Sequence, residues 1–267
     1  MGIDGVGNRR ENHNHMKSTA EEAVSKVPEV TLIFWMIKIA ATTLGETAGD
    51  AVSMSMDLGY LVGTVIFAAL FLAAVVVQIT AKKFHPVIYW VTIVATTTVG
   101  TTLADFADRS LGIGYAGGTS LLLGLLLASL FVWYRSLGSI AVDTVNSPKA
   151  EMFYWTTIMF SQTLGTALGD WTADTAGLGY VGAGLVFGGL LVLVALAYYL
   201  TRFSRPLLFW MAFILTRPLG AVIGDFLDKP VAEGGLALSR YSASAALCAF
   251  IAACIFIFPH RAASKSH

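Results

Sequence analysis

Charge is what this sequence has least of. Asp, Glu, Lys and Arg make up 13% of its 267 residues, 56% are hydrophobic and the mean hydropathy is +0.70, so no soluble surface can be assembled from it. The chain reads as an integral membrane protein. Neither sign is in excess, because 17 Lys and Arg meet 17 Asp and Glu, which excludes the basic surface that a nucleic-acid partner requires. Cysteine is equally sparse. Cys248 and Cys254 lie six apart in one apolar run, on different faces of a helix, which argues against a disulfide framework or a thiolate metal site. The motifs of hydrolase and nucleotide chemistry are also missing. With no His-Glu-x-x-His, Gly-x-Ser-x-Gly, phosphate-binding loop or dinucleotide fingerprint, neither an enzyme nor a cofactor is expected.

Residues 1–27 are polar, carry four basic and four acidic side chains, and offer no apolar stretch to a signal peptidase. They read as a disordered cytoplasmic tail. Beyond them come eight apolar runs, near 30–51, 58–80, 86–107, 113–134, 151–172, 178–200, 206–227 and 240–258. Each is close to the ~20 residues that a helix needs to cross the hydrocarbon core. Lipid offers no hydrogen-bond partner to an open backbone, so long aliphatic runs without alternation must be helices. The expected fold is all-α, with eight transmembrane helices. Residues 28–134 form a first half, 135–150 a cytoplasmic linker, 151–258 a second half and 259–267 a cytoplasmic tail.

One pattern recurs four times: an aromatic-Trp pair, ten residues to a Gly, five more to an Asp. It reads Trp35, Gly45, Asp50; Trp90, Gly100, Asp105; Trp155, Gly165, Asp170; and Trp210, Gly220, Asp225. Copies one and three are offset by 120 residues, as are two and four, which implies a duplicated pair of two-helix units. Prolines ahead of the first helices follow the same offset, Pro28 with Pro148 and Pro86 with Pro206. The second helix of a unit opens with Gly-Tyr at Gly59, Gly114 and Gly179, whereas the fourth unit has a longer connection over 229–239. Small pairs such as Gly45/Gly49 and Gly220/Gly224 let helices approach closely, and packing is the expected role of these glycines.

In these residues the chain resembles a family of bacterial multi-spanning membrane proteins classified only by a repeat of unknown function with a Gly-x-x-x-Gly-Asp core. Gly45 to Asp50, Gly165 to Asp170 and Gly220 to Asp225 match that core, and the second copy departs with Ala104 in place of its second Gly. The resemblance implies a polytopic protein of the inner membrane and supplies no activity.

Lys and Arg set the orientation. The tails and inter-unit loops hold 12 of them, among them Lys82, Lys83, Arg135 and Arg205, against Arg109, Lys229 and Arg240 within units. Both termini are therefore expected in the cytoplasm, with the repeat Asp residues toward the outer face. Each unit crosses twice, so the four units run parallel about an axis along the membrane normal.

Charges inside the hydrocarbon cost about 2.5–3.5 kcal/mol each and need a reason. At i, i+4 spacing, Thr42, Glu46 and Asp50 share one face of the first helix, with Lys38 at its inner end. The same columns read Thr97, Thr101, Asp105; Gln162, Thr166, Asp170; and Arg217, Ala221, Asp225. Odd helices should line an interior, and even helices should face lipid. Carboxylates and hydroxyls suit a hard cation such as Mg²⁺, Ca²⁺ or Mn²⁺, or a proton. The expected ligands are Glu46, Asp50, Asp105, Asp170 and Asp225, with Thr42, Thr101 and Thr166; the metal, if any, is unspecified. Lys38 and Arg217 break the repeat and read as charge partners or a gate, through an ion pair of Lys38 with Glu46 or of Arg217 with an Asp or Glu. Helix capping by the Asp residues is the structural alternative.

The function expected is a secondary transporter or channel for a small cation. The alternatives are a carrier of a small anionic or zwitterionic solute, with Arg217 and Lys38 as its partners, or a non-transporting scaffold or sensor. The partners implied are the bilayer and a small ion or solute; self-association is open.

Overall fold

The computed structural model describes residues 25–264, so residues 1–24 of the expected tail and the last three residues lie outside it. Eight long helices are present: α1 Leu32–Asp50, α2 Gly59–Thr80, α3 Pro86–Asp105, α4 Tyr115–Leu137, α5 Pro148–Asp170, α6 Gly179–Leu200, α7 Arg205–Asp228 and α8 Arg240–Ile257. Among the described residues there is no β-sheet, only an isolated bridge between Pro28 and Ala262. The starts follow local chemistry. Thr31 and Ser147 accept hydrogen bonds from Phe34 N and Ala150 N at the heads of α1 and α5, and Pro86, Pro148 and Pro206 occupy first turns. Pro28 does not open a helix; it lies in the bridge to Ala262, and Thr31 caps α1 in its place.

Six helices, α2, α3, α4, α6, α7 and α8, are long and apolar enough to cross a membrane, the mark of a multi-pass membrane protein. The other two, α1 and α5, are of similar length but carry Lys38, Glu46 and Asp50, and Lys149, Glu151 and Asp170. They belong to the interior. The four odd helices form a ring in which α1 and α5 each touch both α3 and α7. Their facing residues are buried, while Leu61, Leu72, Leu127, Leu185 and Leu193 of the even helices are exposed.

The two helices of a unit are consecutive in the chain but are not each other's main packing partners. Each even helix lies mainly on the odd helix of the next unit: α2 on α3, α4 on α5, α6 on α7, and α8 closes the circle on α1. An inner helix gives two flanks to its ring neighbours, so the face that remains is covered by the outer helix that the preceding turn throws sideways.

Those turns share one geometry. After Asp50, Asp105 and Asp170 the backbone widens into five π-helical residues, closed by hydrogen bonds such as Met56 N to Ala51 O and Leu111 N to Phe106 O. Gly59, Gly114 and Gly179 then take φ values of 75°, 74° and 64°, which is why a Gly precedes the Tyr of each second helix. In the fourth unit α7 runs on to Asp228 with no π turn.

The repeat glycines are where the ring closes. A Cβ at Gly45 would collide with Thr97, at Gly100 with Gln162, at Gly165 with Arg217 and at Gly220 with Thr42, so each helix meets the next at one equivalent position. Residues 25–27 are not free tail. Ser25 Oγ donates to Val142 O of the linker at 2.6 Å, Lys26 Nζ lies 2.7 Å from Glu151 Oε1 of α5, and Ala263 N donates to Val27 O, joining residues 25–27 to the linker, to α5 and to the segment after α8.

Candidate functional site

Equivalent side chains of the inner helices stack in layers along the ring axis. At the N-terminal end of these helices sits an aromatic plug, Phe34, Tyr89, Tyr154 and Phe209 with Trp90, Trp155 and Trp210, all buried. The Tyr89 and Tyr154 hydroxyls hydrogen-bond at 2.6 Å, and Trp210 Nε1 donates to Ile140 O of the linker. Phe34, Tyr89, Tyr154 and Phe209 each pack on the repeat Trp of the next inner helix, Trp90, Trp155, Trp210 and Trp35, the same contact repeated around the ring. The next layer is Lys38, Ile93, Ile158 and Phe213, each fully buried. Above it come Thr42, Thr97, Gln162 and Arg217, then Glu46, Thr101, Thr166 and Ala221, and last the four repeat Asp residues.

Of the two pairings open to Arg217, the one with Glu46 is formed. Arg217 NH2 lies 3.0 Å from Glu46 Oε2, donates to Thr101 Oγ1 at 2.6 Å, and donates to Thr166 Oγ1 as well. One guanidinium nitrogen thus gathers residues from all four inner helices. Arg217 stands directly before Pro218, whose ring removes a backbone donor from the middle of α7 and loosens the helix there. Thr42 joins none of these groups; its hydroxyl bonds the backbone at Ile39 O, Lys38 O and Thr216 O. The expected pair of Lys38 with Glu46 is not formed, because Arg217 takes that carboxylate; among the described residues Lys38 has no carboxylate partner and lies 4.2 Å over the Phe213 ring.

The Asp layer is bridged in pairs. Lys229 Nζ sits 2.6 Å from Asp50 Oδ2 and 3.2 Å from Asp225 Oδ1, and Arg109 reaches Asp105 Oδ1 at 3.0 Å and Asp170 Oδ2 at 3.2 Å. Arg240 adds Asp228 at 3.0 Å. Burial disfavours the Lys229 ammonium, but Asp225 and Asp50 outweigh that, and its pKa stands above the ordinary lysine value. These Asp residues therefore act as ion-pair partners, and none of the four caps the following helix with its side chain.

Arg109 and Lys229 are the residues that sequence reasoning passed over, having counted them only as loop charges. A signal was present: each stands four residues after a repeat Asp, within reach along a helical turn. Of the further acidic residues, Asp57 and Asp174 are exposed as expected of loop positions, whereas Asp108 and Asp228 are buried.

One arrangement has the shape of a cation site. Glu46, Asp50 and Asp225 offer carboxylate oxygens that all lie within 4.8 Å of one another, and all three residues are buried. Asp50 Oδ1 has no hydrogen-bond partner. This hard-oxygen set suits Mg²⁺, Ca²⁺ or Mn²⁺ by chemistry. The ammonium of Lys229 already lies between two of its members.

A family model of a single repeat matches the sequence four times, over residues 33–84, 88–139, 153–204 and 208–261, each match one inner helix with the outer helix that follows. The chain belongs to the Repeat of Unknown Function family (DUF347). Its four DUF347 repeats coincide with the four copies of the Trp, Gly, Asp pattern. No curated protein and no solved structure matches the chain.

Proposed function

We propose that this protein is a secondary transporter or channel for a small cation, a metal ion or a proton, in the bacterial inner membrane, and not an enzyme. All eight helices cross, with α1 and α5 shielded inside the ring, both termini in the cytoplasm and the Asp layer at the outer face. The observation that carries the reading is the buried carboxylate trio of Glu46, Asp50 and Asp225, whose members are held by the protein's own cations, Arg217 on Glu46, Lys229 on Asp50 and Asp225, and Arg240 at 3.8 Å from Asp50.

The path runs along the ring axis. A cation entering from the outer face competes with Lys229 for Asp50 and Asp225, while Arg109 stays bridged between the other two Asp residues. Moving deeper, it meets Glu46, which must exchange Arg217 for the cation. The aromatic plug closes the inner end. Latch and plug at opposite ends are what an alternating-access device needs, since only one should open at a time.

Flux through the purified protein in liposomes tests this. Wild type should carry a cation, Glu46→Gln should carry none, and Asp105→Asn should carry it with reduced affinity because three repeat Asp residues remain. Arg217 would lose its counter-charge in Glu46→Gln, so Glu46→Gln/Arg217→Gln, neutral as a pair, should be inactive as well. Flux that follows an anion or zwitterion, or no flux of any kind from folded wild type, would replace this reading by the carrier or the scaffold alternative.

A further inference from the structure

The inner half of the axis carries a charge that nothing described in the structure balances. Lys38, Arg217 and Glu46 are the charged side chains of the three layers between plug and Asp ring, and Glu46 is committed to Arg217 at 3.0 Å. The Lys38 ammonium is fully buried, with no hydrogen-bond acceptor and no carboxylate at salt-bridge distance among the described residues. The Phe213 face at 4.2 Å attracts it only weakly compared with the hydration it has lost.

The turn above it is rich in idle polar groups. Among the described residues Arg217 keeps Nε and NH1 unbonded, Gln162 has neither its amide donor nor its amide acceptor bonded, and the Thr97 and Ser161 hydroxyls have no partner; all are fully buried. Two cations and a set of unbonded N–H and O–H groups against one carboxylate describe a pocket that lacks an acceptor with negative charge. Size follows from the glycines. At Gly100, Gly165 and Gly220 the inner helices touch at this depth, an approach too close to admit an organic solute between them.

We infer that the ring binds a small monovalent anion of chloride size between Lys38 and Arg217, below the carboxylate trio. It neutralises the buried charge and stands whether or not the chain moves a cation. The test is the thermal unfolding midpoint of the purified full chain, read by tryptophan fluorescence with sodium constant and gluconate replaced stepwise by chloride. Wild type should gain a few degrees along a saturating curve, as a ligand of the folded state requires. Lys38→Met, which puts an apolar chain of similar length in the same space, should unfold at one midpoint in both salts. A flat wild-type response, or the same rise in Lys38→Met, overturns the inference. Should Lys38→Met fail to accumulate, the ³⁵Cl line width of a chloride solution decides on wild type alone: broadening reversed by excess bromide supports the site, and an unbroadened line refutes it.

Discussion

At the scale of residues, the Glu46–Arg217 pair is the largest electrostatic commitment inside the ring. Both side chains are buried, so removing one partner strands the other, at about 3–5 kcal/mol, whereas removing both leaves no orphan charge. Glu46→Leu and Arg217→Met should each lower the chemical-denaturation stability of the detergent-solubilised protein by that order. The double variant should recover more than half of the loss. Additive losses would mean that the two residues act separately and that Thr101 and Thr166, not Glu46, hold the guanidinium. Lys229 differs in kind. Its ammonium persists under ordinary conditions because Asp225 and Asp50 hold its pKa up, so loss of the lysine's proton does not break this bridge.

At the scale of elements, the repeat glycines decide how near the inner helices come. Gly220→Ala drives a methyl into Thr42 across the α7–α1 contact and should cost about 1–3 kcal/mol, the usual penalty of overpacking. Gly188→Ala on α6 meets nothing within 4 Å and should be neutral or slightly stabilising. Unfolding of the two variants in one detergent checks this, and equal behaviour would mean that the ring is looser than its packing. The Trp, Gly, Asp register was legible because identical environments recur four times, and it located the helices to within about three residues. The pairing of Arg217 with a carboxylate was legible in the same way, as a charge breaking an otherwise uncharged position. The π turns were not, because widening the backbone by one residue per turn leaves no mark on an apolar sequence. Nor was the isolation of Lys38, since a column of residues gives the depth of a side chain but not which neighbour takes its counter-charge.

At the scale of the molecule, contacts run across the halves as well as within them, and that decides how the protein holds together. Sequence reasoning divides the chain into halves at the linker, and the packing bridges that division on both sides of the ring: α4 lies on α5, α8 lies on α1, α3 touches α5 and α7 touches α1. Both bridges of the Asp layer cross it too, Arg109 joining Asp105 to Asp170 and Lys229 joining Asp225 to Asp50. Even the last helix is tied to the first, through Thr47 to Ser244 at 2.8 Å and through Ala263 N to Val27 O. A half expressed alone would expose the charged faces of its inner helices to lipid, where each unpaired charge costs about 2.5–3.5 kcal/mol or more. Residues 1–138 and 139–267 should therefore fail to accumulate separately, yet co-purify as one complex when expressed together, and termination after Leu238 should abolish accumulation although only one outer helix is lost. Replacing both bridging cations, Arg109→Met with Lys229→Met, should weaken recovery of the co-expressed complex more than replacing either. Stable, monodisperse halves would show instead that each pair of repeats closes its own core, and that the ring is a docking of two domains and not a single circle of four.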